Sequence, residues 1–225
     1  MSIKIKHGYR SAKEAALDGE SIIIIDVLRA SSTYTTAIAC GAKQIIPCKD
    51  RSDLIKKTKT YRSALKSGER NCKIIKGYDL GSSPLEMIRA DIKDRSILST
   101  TTNGSKMIVA ALMSPLVVIG CFNNISAVSK TMSSEKSVTI ICAGRHGEEV
   151  PEDTICANLM KHIMIGGSIH TFEMNPVKIK EECKKSKSYI TLQRAGLSED
   201  FDYCMEIDNT ETMVMLDHDK LIPMN

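Results

Sequence analysis

Four consecutive isoleucines, Ile22 to Ile25, followed at once by Asp26, constrain this chain more than any other stretch. They are β-branched and show no alternation, the pattern of a strand covered on both faces of a sheet. Polar residues stand where that strand ends, in Asp26-Val27-Leu28-Arg29-Ala30-Ser31-Ser32-Thr33. Ser31 to Ala39 reads as a helix opening on hydroxyl residues, so its free backbone N–H groups and positive dipole end face whatever Asp26 faces. That combination suits an anion with a metal ion. A buried Asp that merely caps the next helix is the alternative.

The same pattern recurs down the chain. Arg95 to Leu98 leads into Ser99-Thr100-Thr101-Thr102-Asn103-Gly104-Ser105 and a helix over Lys106 to Met113. Leu116 to Gly120 leads into Cys121-Phe122-Asn123-Asn124 and a helix over Ile125 to Met132. Ser137 to Cys142 leads into Ala143-Gly144-Arg145-His146-Gly147 and a helix over Glu152 to Met164. Lys43 to Cys48 is a shorter strand before a helix over Ser52 to Lys66. Strand, polar turn and helix in repetition predict a three-layer α/β/α fold with a mostly parallel sheet. Ligands bind such sheets at the carboxyl ends of the strands, where three of these turns would converge.

The 225 residues contain no linker-like tract and are read as one α/β domain, 1–225. Residues 171–225 are more polar, with helix-like pieces at Pro176 to Lys187 and Ser198 to Met205 and a strand near Thr212 to Leu216. They are expected to form a less regular C-terminal extension packing on the sheet. The net charge of +4 is dispersed, aromatic residues make up 4% and Trp is absent. Stacking platforms for bases are therefore scarce, and an anionic small molecule is a better-suited partner than nucleic acid. Eight cysteines form no CxxC pair. With no signal-like start and no apolar run near the roughly 20 residues a bilayer requires, a reduced, cytoplasmic protein without a membrane segment is expected. A homo-oligomer is compatible with the sequence, though no interface is legible.

The turn from Ser99 to Ser105 offers five hydroxyls, an amide and a glycine before a helix, a dense set of donors for phosphate oxygens. Neither a P-loop nor GxGxxG spacing is present. In Gly77-Tyr78-Asp79-Leu80-Gly81-Ser82-Ser83-Pro84-Leu85-Glu86, Ser83 and Pro84 read as the start of a helix, and Asp79 is either a metal ligand or a partner of turn amides. Glu148, Glu149, Glu152 and Asp153 precede a helix. Acids in a first turn complement the dipole, but Mg²⁺ also prefers carboxylates, and Asp26 with one or two of these would suffice. Zinc is disfavoured because His and Cys lack ligand spacing. Arg145-His146-Gly147 matches the Arg-His-Gly turn of histidine phosphatases in only three residues and at a different strand. Arg145 is a candidate for bidentate binding of a carboxylate, sulfonate or phosphate.

Taken in order, Ile25 to Thr33, Tyr78 to Pro84, Thr100 to Gly104, and Cys142-Ala143-Gly144 followed by Glu152-Asp153 resemble the motif set of the 2-phosphosulfolactate phosphatase family. The resemblance covers roughly Tyr9 to Ala157. It implies an α/β, Mg²⁺-dependent phosphatase that hydrolyses 2-phospho-3-sulfolactate to 3-sulfolactate and phosphate in coenzyme M biosynthesis. Joined to the residue chemistry, it makes Asp26, Arg29 and Asp153 the candidate catalytic residues. Asp26, Asp79, Glu152 and Asp153 become the candidate metal ligands. Ser31, Ser32, Thr100, Thr101, Thr102, Asn103, Gly104 and Arg145 become the candidate substrate-binding residues. A phosphatase for a related phosphorylated hydroxy acid and a non-catalytic anion-binding module stay open, as does the choice between direct attack by water and a phosphoaspartyl intermediate.

Overall fold

The computed structural model describes residues 1–145 and 147–224; His146 and Asn225 lie outside the described residues, and with His146 the comparison with histidine phosphatases. In chain order the first half comprises β1 (Ser2–His7), α1 (Gly8–Leu17), β2 (Ser21–Ile25), α2 (Ala30–Ala39), β3 (Gln44–Pro47), α3 (Arg51–Lys57), β4 (Leu65–Arg70), β5 (Lys73–Ile74), α4 (Pro84–Arg89), β6 (Ser96–Thr100) and α5 (Gly104–Ala110). The second half comprises β7 (Val117–Gly120), α6 (Ile125–Met132), β8 (Ser137–Cys142), α7 (Pro151–Met164), α8 (Pro176–Cys183), α9 (Lys187–Arg194), α10 (Ser198–Cys204), β9 (Val214–Asp217) and β10 (Lys220–Pro223).

These strands form one sheet in the order β1-β8-β2-β7-β9-β10-β3-β6-β4-β5. Two parallel blocks, β1-β8-β2-β7 and β3-β6-β4, are joined by the antiparallel β9–β10 hairpin. The isoleucine run shows why the sheet is sandwiched. Ile22 and Ile24 pack with α1, α2 and α5 on one face, through Ala12, Tyr34 and Ile108. Ile23 and Ile25 pack on the other with α6, α7 and α10, through Val128, Met160 and Phe201. In β3 and β6 the same alternation sends Ile45 and Ile97 to the first face, and Ile46 and Leu98 to a smaller cluster under α3. The expected three-layer α/β/α architecture is the one observed.

Local differences have local causes. The helix expected over Ser52 to Lys66 stops at Lys57, where Thr58 to Tyr61 close successive turns. Residues after it extend as β4, held by parallel pairing of Leu65 with Ile97 and of Gly68 with Thr100. Residues 171–224 form α8 to α10 and then the hairpin that lies between the two parallel blocks. The eight cysteines are all free thiols. No helix among the described residues is long and apolar enough to cross a membrane.

Candidate active site

The ends of β2, β6 and β8 meet, and the polar turns that follow them are bonded together. Asn103 donates its side-chain amide to the Gly144 carbonyl at 2.9 Å. Asp153, in the first turn of α7, accepts the Val27 N–H at 2.8 Å and the Gly144 N–H at 2.9 Å. Gly104 lies directly against Asp26, where a Cβ would stand 2.7 Å from Oδ2 and 2.6 Å from the Ala30 Cβ. Only glycine allows the β6 turn to approach the β2 turn this closely. Gly144 has φ +64 and its Cβ position is filled by the Glu148 carbonyl, so the β8 turn also depends on glycine.

Between these turns lies a cleft of about 620 Å³, counting the open space at its mouth. Asp26, Arg29, Thr101, Thr102, Asn103, Arg145, Glu152 and Asp153 line it. Asp26 is 9% exposed, Glu152 1% and Asp153 2%, so three carboxyl groups share a nearly dry pocket wall. Burial, and then repulsion from Glu69 and Glu152, pushes the Asp26 carboxyl up to about 7. Burial also raises Glu152, and burial followed by the charges of Asp26 and Glu152 raises Asp153 well above the usual carboxylate range.

The three acids are not equivalent. Both Asp153 oxygens accept backbone hydrogen bonds. Asp26 accepts the Ala30 N–H at 3.3 Å, which gives it part of the capping role considered for it. Both Glu152 oxygens are buried without a well-formed hydrogen bond, and the nearby Ser188 and Ser186 hydroxyls and the Arg145 charge offset its burial only in part. A buried carboxylate without a donor is expensive, and a cation or a proton is what satisfies it. Among the described residues no group of three or more His, Cys, Asp or Glu side chains converges closely enough to cage a metal ion alone. Mg²⁺ needs no such cage, since it commonly takes one or two carboxylates together with waters and a substrate phosphate. The donor set, all oxygen and partly unsatisfied, fits that ion.

Several residues singled out in the sequence lie outside the cleft or spend their bonds on the loops. Asp79 is exposed and outside the cleft, its carboxylate accepting the Lys66 N–H at 2.8 Å at the start of β4. That bond explains it as a turn residue, and it is no neighbour of Asp26. Ser31 accepts the Asp26 N–H at 3.1 Å and Ser32 donates to the Val27 carbonyl at 3.0 Å, so both brace the loop from behind. Thr100 is fully buried behind the cleft. The Thr101 N–H is engaged with Ser105 Oγ at 3.0 Å and Thr101 Oγ1 accepts the Ser105 N–H at 3.0 Å, while Thr102 N–H and Oγ1 donate to Glu69 at 3.0 and 2.8 Å. Arg145 turns one guanidinium nitrogen to the Lys187 carbonyl at 2.9 Å and sits at the rim.

Two site residues escaped the sequence reading. Glu69, in β4, organises the Thr102 turn and also accepts the Cys72 N–H at 3.0 Å. Asp200, in α10, forms a buried ion pair with Arg29 and takes a 2.6 Å hydrogen bond from the Ser83 hydroxyl. Asp200 stands in a helical first turn, where acids are ordinary, and its only signal was its pairing to an Arg 171 residues away.

A family model described as 2-phosphosulpholactate phosphatase matches residues 7–219. A protein named "Probable 2-phosphosulfolactate phosphatase" from Caldanaerobacter subterraneus subsp. tengcongensis is 29% identical over 232 aligned positions, covering 96% of this chain and 95% of that relative. Proteins with the same name from Thermotoga petrophila and Clostridium acetobutylicum are 34% and 31% identical, covering 86% and 87% of this chain and 88% and 89% of those relatives.

Proposed function

The chain belongs to the 2-phosphosulpholactate phosphatase family of phosphoric monoester hydrolases, and from that premise we propose that it hydrolyses 2-phospho-3-sulfolactate to 3-sulfolactate and phosphate with Mg²⁺. Coenzyme M biosynthesis is the setting in which this step belongs, and a related phosphorylated hydroxy acid is the alternative substrate. One observation carries the reading: the buried Glu152 carboxylate, without a well-formed hydrogen bond, in a cleft shared with Asp26 and Asp153.

Asp26 and Glu152 would hold the ion, with Asp153 as a third ligand or as the group that fixes the other two. When bound, the ion supplies positive charge beside the phosphoryl oxygens. Arg29 contributes charge-assisted donors to the same oxygens. Asn103 and the Thr101–Thr102 backbone shape the wall against which the phosphate rests. Arg145, which lines the same cleft, would bind the distal sulfonate or carboxylate. Phosphoryl transfer requires chiefly positioning and charge stabilisation, which this inventory supplies. Water is the nucleophile in this reading, since a carboxylate sharing a cation attacks poorly.

The test is phosphate release from 2-phosphosulfolactate, phospholactate and phosphoglycerate, each with Mg²⁺ and with EDTA. Selective, metal-dependent release from the sulfonated ester is expected. Selective release from another ester would move the assignment to that substrate, and release from none would leave an anion-binding module.

A further inference from the structure

Arg29 is a cleft residue whose ion-pair partner lies in the C-terminal part of the chain. Its guanidinium pairs with Asp200, and the side chains are only 3% and 2% exposed. The other Asp200 oxygen takes the 2.6 Å bond from Ser83 Oγ, and that same oxygen of Ser83 caps α4 by accepting the Glu86 N–H at 3.1 Å. Asp200 thus ties the start of α2, the start of α4 and α10 to one carboxylate.

The cleft supplies Arg29 with competing partners. Asp26, Glu69, Glu152 and Asp153 all line the space into which Arg29 also opens. A buried guanidinium seeks a carboxylate, and loss of one such partner is strongly destabilising or drives re-pairing. If Arg29 turned to Asp26 or Glu152, it would fill the place where a cation and a phosphoryl group are proposed to sit. Asp200 has one oxygen committed to Ser83 and the other to one guanidinium nitrogen of Arg29, so it holds that nitrogen away from the other cleft carboxylates.

We propose that Asp200, steadied by Ser83, is the positioning residue that keeps Arg29 directed at the substrate phosphate and away from the Asp26–Glu152 carboxylates. This rests on the phosphatase reading for its substrate but predicts a coupling that is measurable with inorganic phosphate alone.

Phosphate affinity by calorimetry in Mg²⁺, kcat and KM would be compared for the wild type, Asp200→Asn, Arg29→Gln and the double variant. Asp200→Asn is expected to weaken phosphate binding about tenfold and lower kcat/KM on the order of 100-fold, as truncating a buried charge pair does. In the Arg29→Gln background the same change is expected to alter either quantity less than about threefold. Asp200→Glu keeps the charge but displaces the contact, and Ser83→Ala frees the steadying oxygen. Both serve if Asp200→Asn fails to fold, and both are expected to weaken phosphate binding with Arg29 present and not without it. Losses that multiply independently of Arg29, or phosphate affinity equal in all variants, overturn the proposal. Coupling in phosphate binding without hydrolysis of any ester would uphold it and defeat the phosphatase reading instead.

Discussion

Asp153 accepts the backbone N–H of Val27, 126 residues earlier in the chain, at 2.8 Å, and so pins the residue that follows Asp26. Its second oxygen does the same for Gly144 at 2.9 Å. Asp153→Ala would orphan both donors, at a cost of about 1–3 kcal/mol each. Glu152 makes no such bonds. Glu152→Gln should therefore leave the cation-free fold as stable as before or more stable, while removing at least ~100-fold of activity, because a site can hold strain that function requires. Urea denaturation and turnover, measured on both variants, separate these two roles.

Gly104→Ala places a methyl group 2.7 Å from Asp26 Oδ2 and 2.6 Å from the Ala30 Cβ. Overpacking of this kind costs about 1–3 kcal/mol. The larger effect is expected on activity, since relief of the clash moves the Asp26 carboxylate; a folded variant with near wild-type kcat would contradict that.

The pH dependence follows from Asp26. Burial pushes its folded carboxyl up to about 7 from the ordinary 3.8, so its contribution favours the folded state at low pH and is lost as pH rises from about 4 through 7. Glu152 and Asp153 are raised too and act with the same sign. Metal-free protein should melt several degrees lower at pH 8 than at pH 5, on the scale of roughly 2–4 °C per kcal/mol. Asp26→Asn should flatten this slope, and added Mg²⁺ should oppose it. Thermal melts in EDTA and in Mg²⁺ check both.

Asp79 and Arg145 give a paired control. Asp79→Ala removes only the bond to Lys66 N–H and is expected to cost about 1 kcal/mol of stability with activity retained. Arg145→Ala, at the cleft rim, should raise KM roughly tenfold with kcat little changed, the signature of lost substrate binding. The reverse pattern would move Arg145 from specificity to chemistry.

The fold was legible wherever apolar pattern and topology agreed. Ile22 to Ile25 announced a doubly covered strand, and α6 occupies the residues expected of it, Ile125–Met132. β1, with the sequence SIKIKH, and β4, LKSGER, lack that signal because one is an edge strand and the other is held mainly by pairing to β6. Glu69 was hidden with β4. Asp200 was hidden because an ion pair across 171 residues leaves no mark in local composition. The turns were legible as polar strand ends, but not in their details: Ser31, Ser32 and Thr101 spend their side-chain bonding on the loops themselves. Spacing alone does not say which hydroxyls face a ligand.

Hydrolysis is proposed to depend on a divalent cation held by the buried carboxylates of Asp26 and Glu152. The most direct test of this dependence is Mn²⁺ binding to EDTA-stripped protein, followed by electron paramagnetic resonance, in the wild type and in Glu152→Gln. One tightly bound ion per chain in the wild type, lost or greatly weakened in the variant while its fold persists, is the predicted result. Equal binding in the two proteins, or full phosphatase activity of the stripped wild type in EDTA, would contradict this dependence.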